Sequence, residues 1–597
     1  MSNSTTGTPQ PSFDPAQLAE AVGNIAGQSH QLMEKFLAPR NPMDPASVDP
    51  LGVGKAFLDL TAAMMANPQK LAEAQVAAWN AYMTMWLGAA NRMLGGEQES
   101  DPAGPGKDRR FRHEAWDTNP FFDFIRQSYL VAAETIQNAV VNTEGMDEKT
   151  ARKVHFYTKQ FVDALSPTNF ILTNPEVLEA TVKSGGENLL RGLRHFVEDF
   201  DVEKGRLRIR MTDEKAFTLG ENVATTLGKI VYQNELMQLI QYSPSTAQVH
   251  RRPLLVMPPW INKYYILDLQ PKNSFIKWLV GQGHTVFVIS WVNPDESLAD
   301  IDFDDYVFKG PMAALDAIEQ ATGEKEANVI GYCIGGTLLA GVLAYMAAKG
   351  DMRIVSATFL TTMLDFSEPG DLGVFVDEQQ LRSLEVSMNE RGYHEGAEMA
   401  TTFNLLRSND LIWSFFVNHY LLGKDPVPFD LLYWNSDSTR MPAKMHSTYL
   451  RTMYLENRFC QPGGMHVKDV AIDLRDIKTP AYFLSTEEDH IAPWESTFAG
   501  ARLLSGPLRF VLGKSGHIAG VVNPPAAKKY GYYSGPDVGG TPMNWVARAT
   551  SHEGSWWPDW QRWVQQFAGG EVPARQPGDG KLKIIEAAPG AYVRKRM

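Results

Sequence analysis

With 597 residues the chain is too long for one ordinary core, so two domains or one heavily elaborated domain are expected. Hydrophobic residues at 44% and charged residues at 21% exclude a disordered chain, and a formal net charge of -13 excludes a general attraction for nucleic-acid phosphates or anionic lipid. With only Cys333 and Cys460 no disulfide framework is in play, which suits a reducing cytoplasm.

The polar segment Met1–Pro11 lacks a basic region followed by an apolar run, so no secretory signal is expected. Residues 1–50 are rich in Ser, Thr, Pro and Gly, and one short helix is expected around Gln17–Leu37. Gly54–Leu94, Ala- and Met-rich with Trp79, Tyr82, Met85 and Trp86, predicts one or two amphipathic helices. Glu97–Lys107 has the composition of a linker. A helix follows, capped at Thr118 or Asn119 with Pro120 in its first turn; Phe122, Ile125, Tyr129, Ala132, Ile136 and Val140 recur at intervals of three and four. All these apolar stripes are expected to serve tertiary packing. The expected organisation is a poorly ordered or helical segment and linker over 1–107, a helical domain over 108–215, and a catalytic domain over 216–597.

Beyond about residue 215 the pattern changes. Short apolar runs bounded by Gly, Pro and Asn predict strands at Pro253–Pro258, Thr285–Trp291, Ala327–Cys333, Ile354–Thr361, Ala481–Ser485 and Arg509–Leu512. Helical stretches at Phe303–Thr322, Thr337–Ala348 and Trp494–Leu504 separate several of them. This alternation predicts a parallel sheet covered on both faces. The longest apolar stretch, Leu338–Ala348, is too short to cross a bilayer, so no transmembrane segment is expected. Over a hundred aromatic, mostly helical or irregular residues, about 365–474, interrupt the rhythm and read as a cap over a site.

The run ANVIGYCIGGT at 327–337 places Gly331-x-Cys333-x-Gly335 between a strand and a helix. This is the context of a nucleophile elbow, in which a sharp turn presents the nucleophile and a Cβ at either flanking position would clash. The turn also sets Cys333 at a helix N-terminus, where the dipole favours a thiolate. Such an elbow expects an acid and then a histidine on later strand ends. AYFLSTEEDH at 481–490 supplies Asp489, ahead of Glu487, Glu488 and His490 because Asp489 begins the turn into DHIAPW; RFVLGKSGHIAG at 509–520 supplies His517. An oxyanion hole is expected from the backbone N–H of Ile334 and a second N–H, of Trp260 or Ile261, in the loop after Pro258 and Pro259, which have none. The predicted fold is therefore α/β: an α/β-hydrolase, doubly wound, with a mostly parallel sheet and a helical cap insertion, preceded by a mainly helical N-terminal region. No CxxC, HExxH or phosphate-loop pattern occurs, so neither metal nor cofactor is expected.

These residues also carry a family resemblance. GYCIGG at 331–336, PPWINKYYILDLQPKNS at 258–274, SWVNPD at 290–295, FVDE at 375–378 and NDLIW at 409–413 resemble polyhydroxyalkanoate synthases. So do PFDLLYWNSDSTRMP at 428–442, EDHIAPW at 488–494, SGHIAG at 515–520 and GSWWPDW at 554–560, and the similarity spans roughly residues 108–597. One departure is Trp260, where some relatives carry Cys or another residue. The resemblance implies Cys333 as nucleophile in a lipase-like box, Asp489 and His517 as its partners, and Ile334 as oxyanion donor. It further implies the single-subunit class I type. For that type the substrate is an (R)-3-hydroxyacyl-CoA, preferably 3-hydroxybutyryl-CoA, the product a polyester, and the active form a homodimer, expected here through the cap. Cytoplasmic location at polymer granules is expected, and CoA enters as part of the substrate, its phosphates met by local Lys and Arg. His517 is then the general base, and Asp489 either orients it or itself activates the 3-hydroxyl.

Overall fold

The computed structural model describes residues 53–93, 108–141, 143–201, 206–535 and 537–596. The predicted helix Gln17–Leu37 and linker Glu97–Lys107 lie outside these residues. The described chain forms two compact units, one comprising Val53–Met211 with Arg407–Val427, the other Thr212–Leu406 with Pro428–Met597.

The first unit is helical. Helices α1 (Val53–Ala66) and α2 (Pro68–Met93) precede α3 (Pro120–Val141), α4 (Glu148–Ala164), α5 (Pro175–Lys183) and α6 (Glu187–Asp199). Local chemistry sets the starts. The Asn119 carboxamide accepts from Phe121 N at 3.0 Å ahead of Pro120, Asp147 accepts from Thr150 N at 3.0 Å, and Asn174 accepts from Glu176 N at 2.9 Å ahead of Pro175. Ala56, Leu60, Val140 and Val154 make one small core. The stripe of α2 departs from expectation. Met85 is buried, but Trp79, Tyr82 and Trp86 are exposed, because α2 turns only one narrow face to its neighbours.

The segment Arg407–Val427, which sequence reading assigns to a single cap over 365–474, belongs to this helical unit. Leu421 and Leu422 pack on Val177, Asn188 Nδ2 donates to Leu421 O at 2.8 Å, and the Tyr420 carbonyl lies where a Cβ on Gly192 would be. Only a glycine lets that backbone approach.

The second unit is built on an 11-stranded sheet. In chain order its strands are β1 (Gly228–Gln233), β2 (Met237–Tyr242), β3 (Leu254–Met257), β4 (Val286–Trp291), β5 (Ala327–Tyr332), β6 (Ile354–Leu360), β7 (Ala481–Thr486), β8 (Leu508–Gly513), β9 (Tyr532–Ser534), β10 (Thr550–His552) and β11 (Glu586–Ala587). Across the sheet they run β10-β9-β8-β7-β6-β5-β3-β4-β2-β1-β11. The six central strands, β8 to β4, are parallel, and antiparallel strands extend both edges.

The six parallel strands are the six read from apolar runs, and their burial explains the reading. Leu255, Met257, Val329 and Phe359 enter one core, while Leu254, Val256, Ile330 and Leu360 enter the other. Both faces are covered, so most positions are apolar, and each such side chain contributes about 1.5–3 kcal/mol.

Helix α7 (Phe275–Gly281) lies between β3 and β4. The predicted helix Phe303–Thr322 is interrupted. Gly310 departs from helical backbone and Pro311 lacks the N–H the ladder needs, so a wide turn over Phe308–Met312 separates Phe303–Val307 from α8 (Ala313–Thr322). Helix α9 (Ile334–Lys349), α10 (Glu378–Arg391), α11 (Trp494–Ala501) and α12 (Trp557–Val564) complete the elements used below. Among the described residues no helix is long and apolar enough to cross a membrane.

Candidate active site

Cys333 sits between β5 and α9 with φ 54° and ψ -123°, a conformation that a side chain adopts only under strain. The neighbours hold it there. Cys333 N donates to Leu360 O on β6 at 2.8 Å, and Gly336 N donates to Cys333 O at 2.9 Å. The glycines of the motif are sterically required. A Cβ on Gly331 would lie 2.5 Å from Gly336 Cα, one on Gly335 would overlap Met257 O, and one on Gly336 would overlap Thr362 Oγ1. Gly335 thus abuts the end of β3, where the expected oxyanion loop begins.

Asp489 lies in the turn after β7. Glu487 and Glu488 beside it are exposed, whereas the Asp489 side chain is fully buried. Its Oδ1 accepts from Ile491 N at 2.9 Å and Ala492 N at 2.8 Å. Its Oδ2 accepts from Thr486 Oγ1 at 3.1 Å and meets His517 Nδ1 at 2.7 Å. Every lone-pair direction on the carboxylate has a partner, so its orientation is fixed.

His517 lies in the loop after β8, buried against Tyr332, whose ring stacks on the imidazole with centroids 5.7 Å apart. Two tryptophans fix that loop from the far side. Trp556 Nε1 donates to Gly520 O and Trp557 Nε1 to Val521 O, each at 2.9 Å. Burial opposes a charged imidazole, but the Asp489 carboxylate and then the Cys333 sulfur, which also shares a hydrogen bond with the ring, outweigh it and raise the pKa of His517 to about 10. The structure therefore brings Cys333, His517 and Asp489 together as a chain of contacts.

Ile334 is the first residue of α9, so its N–H has no acceptor within the helix. Trp260 and Ile261 follow Pro258 and Pro259 on the loop against Gly335, and Trp291 Nε1 holds the Pro258 carbonyl at 2.9 Å. The Trp260 ring is buried among Trp291, Tyr306 and Tyr449.

Sequence reading missed the aromatic wall beside the thiol. Tyr449 and Tyr454 lie 5.5 Å apart and Tyr454 packs on Phe366 at 5.0 Å; burial, aided by the Cys333 sulfur, raises both phenol pKa values above the ordinary range, although at Tyr454 the hydrogen bond to Tyr449 opposes the rise. The only signal available was aromatic content within the insertion.

Residues 107–279 match the family model described as the N-terminus of poly-beta-hydroxybutyrate polymerase (PhaC), and residues 255–524 match that of the alpha/beta hydrolase fold. The chain is 50% identical over 587 residues to the poly(3-hydroxyalkanoate) polymerase subunit PhaC of Rhizobium meliloti strain 1021, covering 98% of this chain and 96% of that one. It is 42% identical over 600 residues to the subunit of the same name from Cupriavidus necator, covering 97% of this chain and 100% of that one. Among solved structures it is similar to a monoacylglycerol lipase from Paleococcus ferrophilus, at 13% identity and a TM-score of 0.30, covering 56% of this chain and 98% of that one. With relatives of this identity along nearly its whole length, the chain belongs to the poly(3-hydroxyalkanoate) polymerase family, acyltransferases built on the α/β-hydrolase fold.

Proposed function

We propose that the protein polymerises (R)-3-hydroxyacyl-CoA, with 3-hydroxybutyryl-CoA as the expected monomer, through an acyl-Cys333 intermediate. The observation that carries this reading is a cysteine in strained elbow geometry in contact with an imidazole that a buried carboxylate grips at 2.7 Å.

His517 takes the Cys333 proton, and the thiolate attacks the thioester carbonyl. The N–H groups of Ile334 and of Trp260 or Ile261 receive the developing oxyanion, CoA departs as a thiolate, and the imidazolium returns the proton to it. A cysteine suits this exchange because one thioester replaces another and the acyl group keeps its activation. The 3-hydroxyl of a second hydroxyacyl group then gives its proton to His517 and attacks the acyl-Cys333 carbonyl. An oxoester forms and the sulfur is released. General-base assistance of this kind is worth about 10²–10⁴ in rate. Asp489, whose four contacts leave it no freedom to swing, acts by orienting His517 and stabilising its charge. Water is the competing nucleophile, and the wall of Phe366, Tyr449 and Tyr454 supports a role for the insertion in excluding it. The same reading carries a homodimer formed through the insertion and a cytoplasmic location at polymer granules, to be tested by sedimentation and by imaging of a fluorescent fusion.

The deciding experiment is incubation with (R)-3-hydroxybutyryl-CoA. Insoluble polyester formed with stoichiometric CoA is expected, and Cys333→Ala should lose both. Soluble 3-hydroxybutyrate with no polymer would instead make the protein a thioesterase.

A further inference from the structure

The loop that carries Trp260 and Ile261 is pinned at both ends, and the second pin is a buried charge cluster that the chemistry above does not use. At the near end Trp291 Nε1 donates to Pro258 O at 2.9 Å. At the far end Lys263 is 3% exposed, and its ammonium donates to the backbone carbonyl of Lys595 at 2.9 Å. Its own carbonyl accepts from Trp434 Nε1 at 2.7 Å, and the adjacent Asn262 bridges Ser438. Asp437, its side chain wholly buried, acts on the ammonium through its charge rather than through a direct bond; it accepts from Tyr265 Oη at 2.9 Å and pairs with Arg596 at 3.6 Å. Arg596 lies over the Tyr433 ring at 4.5 Å and pairs with Glu214 at 3.4 Å. Asn293 ties the cluster together, donating to Lys595 O at 3.2 Å and accepting from Arg440 N at 3.0 Å.

A lysine removed from water is costly unless an anion and oxygen acceptors replace its hydration. Packing alone would be met by a methionine at lower cost. A buried ammonium three residues from the loop's first N–H donor fixes direction as well as position, because its bond to the Lys595 carbonyl specifies where the stem must run. We infer that Lys263, held by its bond to the Lys595 carbonyl beside the Asp437 charge, is a positioning residue that fixes the Pro258–Lys263 loop so that its N–H meets the oxyanion formed at Cys333. The inference rests on the proposed acyl transfer at Cys333 and deepens it. It ties the segment Tyr592–Arg596, far from Cys333 in sequence, to the first chemical step.

The test uses the full chain with Lys263→Met, and Arg596→Gln as a milder variant at a partly exposed position. Three quantities are read: kcat and KM for (R)-3-hydroxybutyryl-CoA, the rate of Cys333 alkylation by iodoacetamide, and the melting temperature. For Lys263→Met, kcat should fall by about 10- to 100-fold, the scale of a donor misplaced by an ångström, with KM within about twofold. Alkylation, which needs no oxyanion hole, should keep its wild-type rate; a general collapse of the site would slow it equally. Arg596→Gln should lower kcat by about three- to tenfold in the same pattern, and it decides the question if Lys263→Met does not fold. Unchanged kcat in the folded variants, a change confined to KM, or a matching loss of alkylation would overturn the inference. Cys333→Ala, assayed alongside, separates the two levels. If it is inactive while the folded variants run at full rate, only the positioning role fails; if it still releases CoA, the proposed chemistry itself fails.

Discussion

His517 Nδ1 and Asp489 Oδ2 lie 2.7 Å apart, and neither side chain has more than 7% of its surface exposed. This contact decides the protonation of the site. Burial pulls the imidazole toward neutrality, but Asp489, aided by the Cys333 sulfur, raises its pKa from 6.5 to about 10. Asp489→Asn removes the largest raising influence, so the imidazole should lose its proton at lower pH. Iodoacetamide alkylation of Cys333 near pH 7 should slow, and polymerisation kcat should fall by about 10²- to 10⁴-fold. Stability follows the same sign. The raised pKa contributes stability that is full below the ordinary 6.5 and lost as pH rises through about 10; thermal melts of wild type and Asp489→Asn should therefore converge toward alkaline pH. Identical alkylation profiles would refute the coupling.

Gly335→Ala tests the elbow by sterics alone. The added Cβ overlaps the Met257 carbonyl oxygen and comes within 2.8 Å of Pro258 O, both on the backbone that leads into the Trp260–Ile261 loop. Backbone cannot turn aside as a flexible side chain does. Polymerisation should drop below detection and the unfolding free energy by about 1–3 kcal/mol, measured by urea titration. A variant with wild-type kcat would mean that the loop moves freely from the elbow.

What sequence could and could not disclose follows from burial and spacing. The six central strands were legible because both faces are covered, leaving predominantly apolar runs. Strands β1 and β2 were not, since GKIVYQ and MQLIQY mix apolar residues with Lys229, Gln238 and Gln241, and the two glutamines are buried in spite of their polarity. The short β9, β10 and β11 fall below any periodic signal. Cys333, Asp489 and His517 were legible because an elbow fixes both residue type and chain order. Tyr449 and Tyr454 were hidden by a wide helical turn over Leu450–Leu455, which aligns residues five apart rather than three or four. The Lys263–Asp437–Arg596 cluster joins three distant segments, and no local pattern marks such a meeting.

Asp559 on α12 supports β7 and β8, the strands that carry Asp489 and His517. It accepts from Arg509 Nη2 at 2.7 Å and Nε at 3.0 Å, from Tyr482 Oη at 3.1 Å and from Arg562 at 3.2 Å. Asp559→Ala leaves the buried Tyr482 hydroxyl and the Arg509 guanidinium without their acceptor. A destabilisation of about 3 kcal/mol is expected. The same helix begins at the tryptophans that hold the His517 loop, so kcat should fall near the new melting temperature while remaining close to wild type well below it. A loss of kcat at every temperature would make Asp559 part of the site rather than of its foundation.

Tyr454→Ala asks what the aromatic wall does. The ring fills space between Phe366 and Tyr449 beside Cys333, and its removal leaves room for water next to the Cys333 sulfur. Such truncation costs about 2–4 kcal/mol in stability, so the assay is run well below the melting temperature. Free 3-hydroxybutyrate, separated chromatographically from insoluble polyester, should rise several-fold as a share of product, with CoA release less affected than polymer yield. Tyr454→Phe keeps the ring and should keep the wild-type ratio, which separates exclusion of water from any work of the hydroxyl. If both variants partition as the wild type does, water is held off elsewhere; if Tyr454→Phe alone shifts the ratio, the phenol oxygen rather than the ring governs the choice between chain growth and hydrolysis.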